Sequence, residues 1–107
     1  MPGTETLIEL CAKDAVGEGE VLRVDHGDYE LAVYQVDGEF YVTDNNCTHG
    51  PGELSEGYLE GYVIECDFHQ GQFDIRDGRV VGPPCMIDIR TYKVIPHPTA
   101  VVIDPDA

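Results

Sequence analysis

A chain of 107 residues has room for one domain with a modest core, and no composition shift marks a linker or a second domain. Twenty-one acidic against six basic residues leave a net charge of −15, which repels nucleic-acid phosphates and anionic membranes and steers the chain toward basic patches on protein partners. The opening Met1-Pro2-Gly3-Thr4-Glu5 has neither a basic n-region nor an apolar h-region and no run approaches membrane-spanning length, so the expected compartment is the cytoplasm.

In chain order the predicted elements are strands. Leu7-Ile8-Glu9-Leu10-Cys11 alternates, which gives Cys11 the reading of a small buried hydrophobe. Gly17-Glu18-Gly19-Glu20 opens like a dinucleotide fingerprint but lacks the third glycine, and its acids would repel a pyrophosphate, so NADH is not an expected ligand. Glu18, Glu20, Asp104 and Asp106 read as solvated surface. Residues 21–24, 29–36 and 39–43 read as strands of a meander, with His26 in a solvated turn and Asp37-Gly38 as a hairpin turn.

Further along, residues 59–66 predict a hairpin about Glu60-Gly61, and residues 72–75 pair through Asp77-Gly78 with 79–81. Residues 86–94 alternate with one slip, His97 sits in a loop between Pro96 and Pro98, and residues 100–103 form a short apolar strand. Ser55, the one serine, has no nucleophile elbow and no histidine partner and reads as a surface residue. No long amphipathic helix appears, so the expected class is all-β.

The chemistry lies between these strands, in Cys47-Thr48-His49 and Cys66-Asp67-Phe68-His69, separated by the sixteen residues 50–65. Each half brings one thiolate and one imidazole, as a binuclear iron–sulfur centre requires when one iron is held by sulfur and the other by nitrogen. Zinc also accepts two Cys and two His, but zinc modules more often group like ligands together, whereas both loops here are mixed. His26 and His97 are the remaining histidines, and neither sits in a pattern suited to a mononuclear iron held by two His and a carboxylate.

Through this C-x-H-x16-C-x2-H pattern the chain resembles the Rieske-type ferredoxins of multicomponent aromatic-ring-hydroxylating dioxygenases, and the resemblance runs over nearly its whole length. The loops Cys47-Thr48-His49-Gly50-Pro51-Gly52 and Cys66-Asp67-Phe68-His69-Gln70-Gly71-Gln72-Phe73-Asp74 carry the resemblance, together with Gly82-Pro83-Pro84, which is similar to a proline loop covering the cluster. The resemblance implies one [2Fe-2S] cluster, with Cys47 and Cys66 on one iron and His49 and His69 on the other. It also implies an antiparallel β-sandwich or barrel base with a small cluster-binding subdomain over about 45–84 of a single 1–107 domain.

Cys85, next to the proline loop, is placed near the cluster by the same resemblance. Respiratory members of the superfamily add a disulfide and Ser and Tyr hydroxyls around the cluster. The corresponding positions here resemble Gly52 and Phe68, and Gly71 and Phe73, so both the bridge and the two donors are missing. Fewer donors to the sulfurs favour the oxidised cluster, giving an expected potential on the order of −150 mV. Imidazole ligation implies a potential that falls as pH rises through the ligand pKa of the oxidised state.

The implied role is that of an electron carrier, not an enzyme. It takes single electrons from an NAD(P)H-dependent flavoprotein ferredoxin reductase and passes them to a terminal Rieske oxygenase, with neither nucleic acid nor membrane as partner. Gly50, Pro51, Phe68, Gln70, Pro83 and Pro84 form the expected docking face. Two other readings stay open at this point: the small subunit of another redox enzyme such as nitrite reductase, and a zinc-stabilised interaction module.

Overall fold

The computed structural model describes residues 7–48, 52–67, 71–82 and 87–105. Ten strands fall into two antiparallel sheets. The larger has the order β1-β10-β9-β4-β3-β2, built from β1 (Ile8–Ala12), β2 (Val21–His26), β3 (Tyr29–Val36), β4 (Glu39–Asp44), β9 (Thr91–Ile95) and β10 (Ala100–Asp104). Its edge strands β1 and β2 approach each other, so the sheet is nearly closed into a barrel. The smaller sheet runs β5-β6-β7-β8 and has four strands of three residues: β5 (Tyr58–Glu60), β6 (Val63–Glu65), β7 (Gln72–Asp74) and β8 (Val80–Gly82).

Turn chemistry sets the registers. In the β3–β4 hairpin Asp37 and Gly38 both take positive φ, +54° and +78°, as a two-residue type I′ turn demands. Val36 accordingly pairs with Glu39. The carboxylate of Glu18 accepts the N–H groups of Asp37 and Gly38 at 2.7 and 3.0 Å, so this acid, expected as plain solvated surface, ties a turn. The β5–β6 turn is Gly61-Tyr62, one residue later than the sequence suggests. Glycine's freedom at φ +59° suits the first central position of a type II′ turn and brings Glu60 opposite Val63.

β3 is the strand on which both sheets lean. Leu31 and Val33 face a barrel core with Val16, Val42, Tyr92, Val101 and Ile103. Ala32, Tyr34 and Val36, on the alternate face, join a second core with Leu54, Ile64, Phe73, Ile75 and Ile89 from the other side of the molecule. A strand buried on both faces reads as a near-continuous apolar run, which is what Leu31-Ala32-Val33-Tyr34 provides. In β1 the register slips between Glu9 and Cys11, and this bulge lets the consecutive residues Leu10 and Cys11 both pack on the barrel core.

Two sequence expectations change. The alternating run 86–94 is a strand only from Thr91. Ahead of it, Ile89 N–H donates to the Gly78 carbonyl, and the Asp88 carboxylate accepts from Val80 N–H at 3.0 Å, so this stretch ties the small sheet to the large one. The β7–β8 connection is wider than a two-residue hairpin, since Asp74 N–H donates to the Arg79 carbonyl and Gln72 and Phe73 pair with Gly82 and Val80 across a register slip. Among the described residues no helix is long and apolar enough to cross a membrane.

Candidate metal centre

Cys47 lies three residues beyond β4 and Cys66 immediately beyond β6, and both are buried, at 6% and 1% exposure. They belong to one cluster with Leu54, Ile64 and Phe73, so the fold brings together two thiols that are nineteen positions apart in the chain. Each opens a loop closed in the same way. Cys47 N–H donates to the Gly52 carbonyl at 2.9 Å, and Cys66 N–H donates to the Gly71 carbonyl at 2.7 Å, five residues on in both cases. In sequence, one histidine of the motif falls between the two residues of each closure.

The two loops are tied to each other and to the rest of the chain. Glu53 N–H, one residue past the first closure, donates to Asp67 Oδ1 at 2.9 Å. The Thr48 hydroxyl donates to the Ile87 carbonyl at 2.6 Å, anchoring the first loop to the segment that leads into β9. Behind the first loop sits Asn45, fully buried. Its Oδ1 accepts from Ser55 N–H at 2.9 Å, its Nδ2 donates to Glu53 Oε1 at 3.3 Å, and its backbone N–H donates to the Glu30 carbonyl at 2.8 Å. A buried amide satisfied on both ends fixes where the chain leaves β4 and where it returns.

Glycine makes one further approach possible. A Cβ on Gly57 would lie 1.9 Å from the Glu65 carbonyl oxygen, so the short 3-10 turn Leu54–Glu56 can press against the residue preceding Cys66 only with no side chain there. Ser55, expected at the surface, has its Oγ buried without a partner among the described residues. Asn45, Glu53 and Gly57 went unremarked in the sequence because their work is long-range. The Asn-Asn before Cys47 was the one local hint.

Of the four predicted ligands, Cys47 and Cys66 are described and stand as above. His49 and His69 lie outside the described residues, as do Gly50, Pro51, Phe68, Gln70, Pro83, Pro84 and Cys85. Gly71 spends its carbonyl on closing the second loop, and Phe73 is fully buried beside both cysteines, so neither position supplies a hydroxyl. His26 ends β2 as an exposed residue. His97 does more than expected of a solvated loop histidine, its Nδ1 accepting from Thr99 and Ala100 N–H at 3.2 and 2.9 Å. A groove of about 800 Å³, lined by Lys13, Phe40, Lys93 and His97 among others, lies by the start of β4, at the far end of that strand from Cys47.

Residues 6–93 match the Rieske [2Fe-2S] domain. The chain belongs to the Rieske family. It is 46% identical over 101 residues to the ferredoxin component of the naphthalene 1,2-dioxygenase system of Pseudomonas aeruginosa, covering 94% of this chain and 97% of that one. The Sphingomonas yanoikuyae B1 ferredoxin superposes with a TM-score of 0.87 at 47% identity, over 91% of this chain and 96% of that one. A ferredoxin solved in complex with the reduced oxygenase of carbazole 1,9a-dioxygenase gives 0.87 at 37% identity, over 94% of each chain.

Membership in the Rieske family makes a [2Fe-2S] cluster, rather than zinc, the resident group. The described part of the site fits that group. Two buried sulfurs, each followed by the same Cys N–H to Gly carbonyl bond, are chemically suited to holding iron.

Proposed function

We propose that this Rieske chain is the ferredoxin of an aromatic-ring-hydroxylating dioxygenase system, carrying single electrons from an NAD(P)H-dependent flavoprotein reductase to a terminal oxygenase in the breakdown of aromatic hydrocarbons. The observation that carries the reading is the match, along nearly the full length of both chains, to the ferredoxin component from Pseudomonas aeruginosa. The complex of a related ferredoxin with its oxygenase supports the acceptor side. The reductase side rests on the need for a one-electron donor fed by a two-electron nucleotide. The proposed compartment is the cytoplasm.

The proposed ligands are Cys47 and Cys66 to one iron and His49 and His69 to the other. Bound there, the cluster supplies a reversible one-electron couple. The protein's own work is to bury the two sulfurs, close both loops through Cys N–H to Gly carbonyl bonds, and keep the loops in register through Asp67 and Glu53. A docking face on residues 50, 51, 68, 70, 83 and 84 is proposed. The exposed Val81 and Ile87 flank its proline segment and extend its apolar character.

The net charge of −15 gives the carrier a means of rapid, reversible encounter with basic partner surfaces. Electron paramagnetic resonance of anaerobically purified protein tests the centre: silent when oxidised, rhombic with a low average g after dithionite. Cys66→Ser abolishes or converts that signal and His26→Ala leaves it unchanged; a native signal in Cys66→Ser overturns the ligand assignment. Reconstitution with a flavoprotein reductase and a ring-hydroxylating oxygenase tests the role. Turnover that depends on this chain and slows with added salt is expected, and turnover indifferent to the chain would refute it.

A further inference from the structure

We propose that Asp67 is a positioning residue for the cluster whose carboxylate braces the second ligand loop against the first and, held beside the Cys66 sulfur, keeps the reduction potential low. The inference rests on the ligand set proposed above. Among the described residues Asp67 Oδ1 accepts Glu53 N–H at 2.9 Å and a longer contact from Cys66 Sγ at 3.8 Å. An exposed aspartate is ordinarily a solvated one, but a backbone N–H from a segment fourteen residues away does not hold a merely solvated side chain.

The donor is itself fixed. Glu53 Oε1 accepts from Arg23 Nη1 at 2.6 Å and from Asn45 Nδ2 at 3.3 Å, and Arg23 stands on β2. The chain of contacts therefore runs from the large sheet through Glu53 to Asp67, and keeps the carboxylate from swinging into solvent.

Its charge then acts where it is held. Adding an electron beside a fixed anion is disfavoured by Coulomb repulsion, weakened but not removed by solvent at an exposed site. Arg23 does little to offset it, because its guanidinium is engaged by Asp25 and Glu53. Gly71 and Phe73, which offer no hydroxyl, act in the same direction, so the site combines missing donors with an added anion. Among the described residues of the two loops, Asp67 thus serves both geometry and potential.

The test uses the cluster-loaded protein and two variants. Asp67→Asn keeps an oxygen to accept Glu53 N–H and removes the charge. Its electron paramagnetic resonance spectrum stays that of the unsubstituted protein, while the ratio of oxidised to reduced cluster at a fixed poise falls roughly tenfold, about 59 mV upward for one electron. The difference shrinks as salt is added. Asp67→Ala removes both functions, so its potential rises similarly and its cluster is lost to an iron chelator several-fold faster than from Asp67→Asn.

An unchanged potential in Asp67→Asn with its spectrum intact overturns the charge role, and equal rates of cluster loss in the two variants overturn the brace. Should Asp67→Ala fail to fold, cluster retention in Asp67→Glu, whose longer side chain misplaces the acceptor, replaces it. A Rieske spectrum missing from the unsubstituted protein would instead defeat the ligand assignment, so the two failures are distinct.

Discussion

The two sheets hold together by different means. The six-stranded sheet has strands of five to eight residues in mostly regular register around an apolar core of Leu31, Val33, Val42, Val101 and Ile103. The four-stranded sheet has three-residue strands that could not persist alone, and much of its cohesion comes from side-chain-to-backbone bonds at its margins. Asp67, Asp74, Asp77 and Asp88 each accept a backbone N–H there. The large sheet thus rests on long ladders over its core, whereas the small sheet adds specific polar contacts to an apolar core of its own; Cys47 lies where the chain leaves the first for the second, and Cys66 within the second.

The strongest way to break this contrast is in the barrel. Leu31→Ala removes a fully buried side chain and is expected to cost about 4 kcal/mol, seen as a lower urea midpoint for the whole domain, with cluster content per folded molecule unchanged. Gly57→Ala strikes the other region. The added methyl meets the Glu65 carbonyl, costing about 3 kcal/mol as the turn shifts, and iron content at purification falls well before the far-ultraviolet circular dichroism changes.

Asn45→Ala sharpens the comparison at the junction. It leaves Ser55 N–H without its acceptor and opens a small void, for about 2 kcal/mol, and release of iron to a chelator speeds up. Equal effects of Leu31→Ala and Asn45→Ala on iron release would erase the distinction between the regions.

The smallest effect concerns acid. The Arg76 guanidinium, bonded to both Asp74 oxygens at 3.0 and 2.7 Å, holds that carboxyl below its ordinary range. A depressed folded pKa contributes stability that is fully present above the unfolded value near pH 4 and is lost as pH falls through the folded one. Arg76→Ala should therefore lower the urea midpoint slightly at pH 7 and flatten its decline below about pH 4. A decline as steep as that of the unsubstituted protein would assign the acid sensitivity elsewhere.

How far the sequence reveals this molecule follows the same division. The β3–β4 hairpin was legible because its turn residues announce it: Asp37-Gly38 lies as expected, and 29–36 is a strand from end to end, whereas the turns at 60–61 and 77–78 were displaced. The alternating run 86–94 misled because its first part is recruited by Gly78 and Val80 from the small sheet, contacts that periodicity does not encode. That Cys47 and Cys66 share one buried cluster agrees with the motif spacing. Asn45, Glu53 and Gly57 were not legible, since a buried amide, an ion pair thirty residues apart and a glycine under a carbonyl are all consequences of tertiary approach.

β3, walled in on both faces, gives these separate regions a common fate. The side chains of Ala32 and Tyr34 face one core and those of Leu31 and Val33 the other, yet all four amide hydrogens sit on one ribbon paired on both edges by β2 and β4. Their exchange with solvent deuterium requires that the ribbon itself come loose, so they should report the slowest opening of the whole protein. Loading the cluster beside one end of that ribbon would then lengthen the lifetime of amides that touch no metal, and a proton–deuterium map would show the cofactor's grip as a protected stripe through the middle of the barrel.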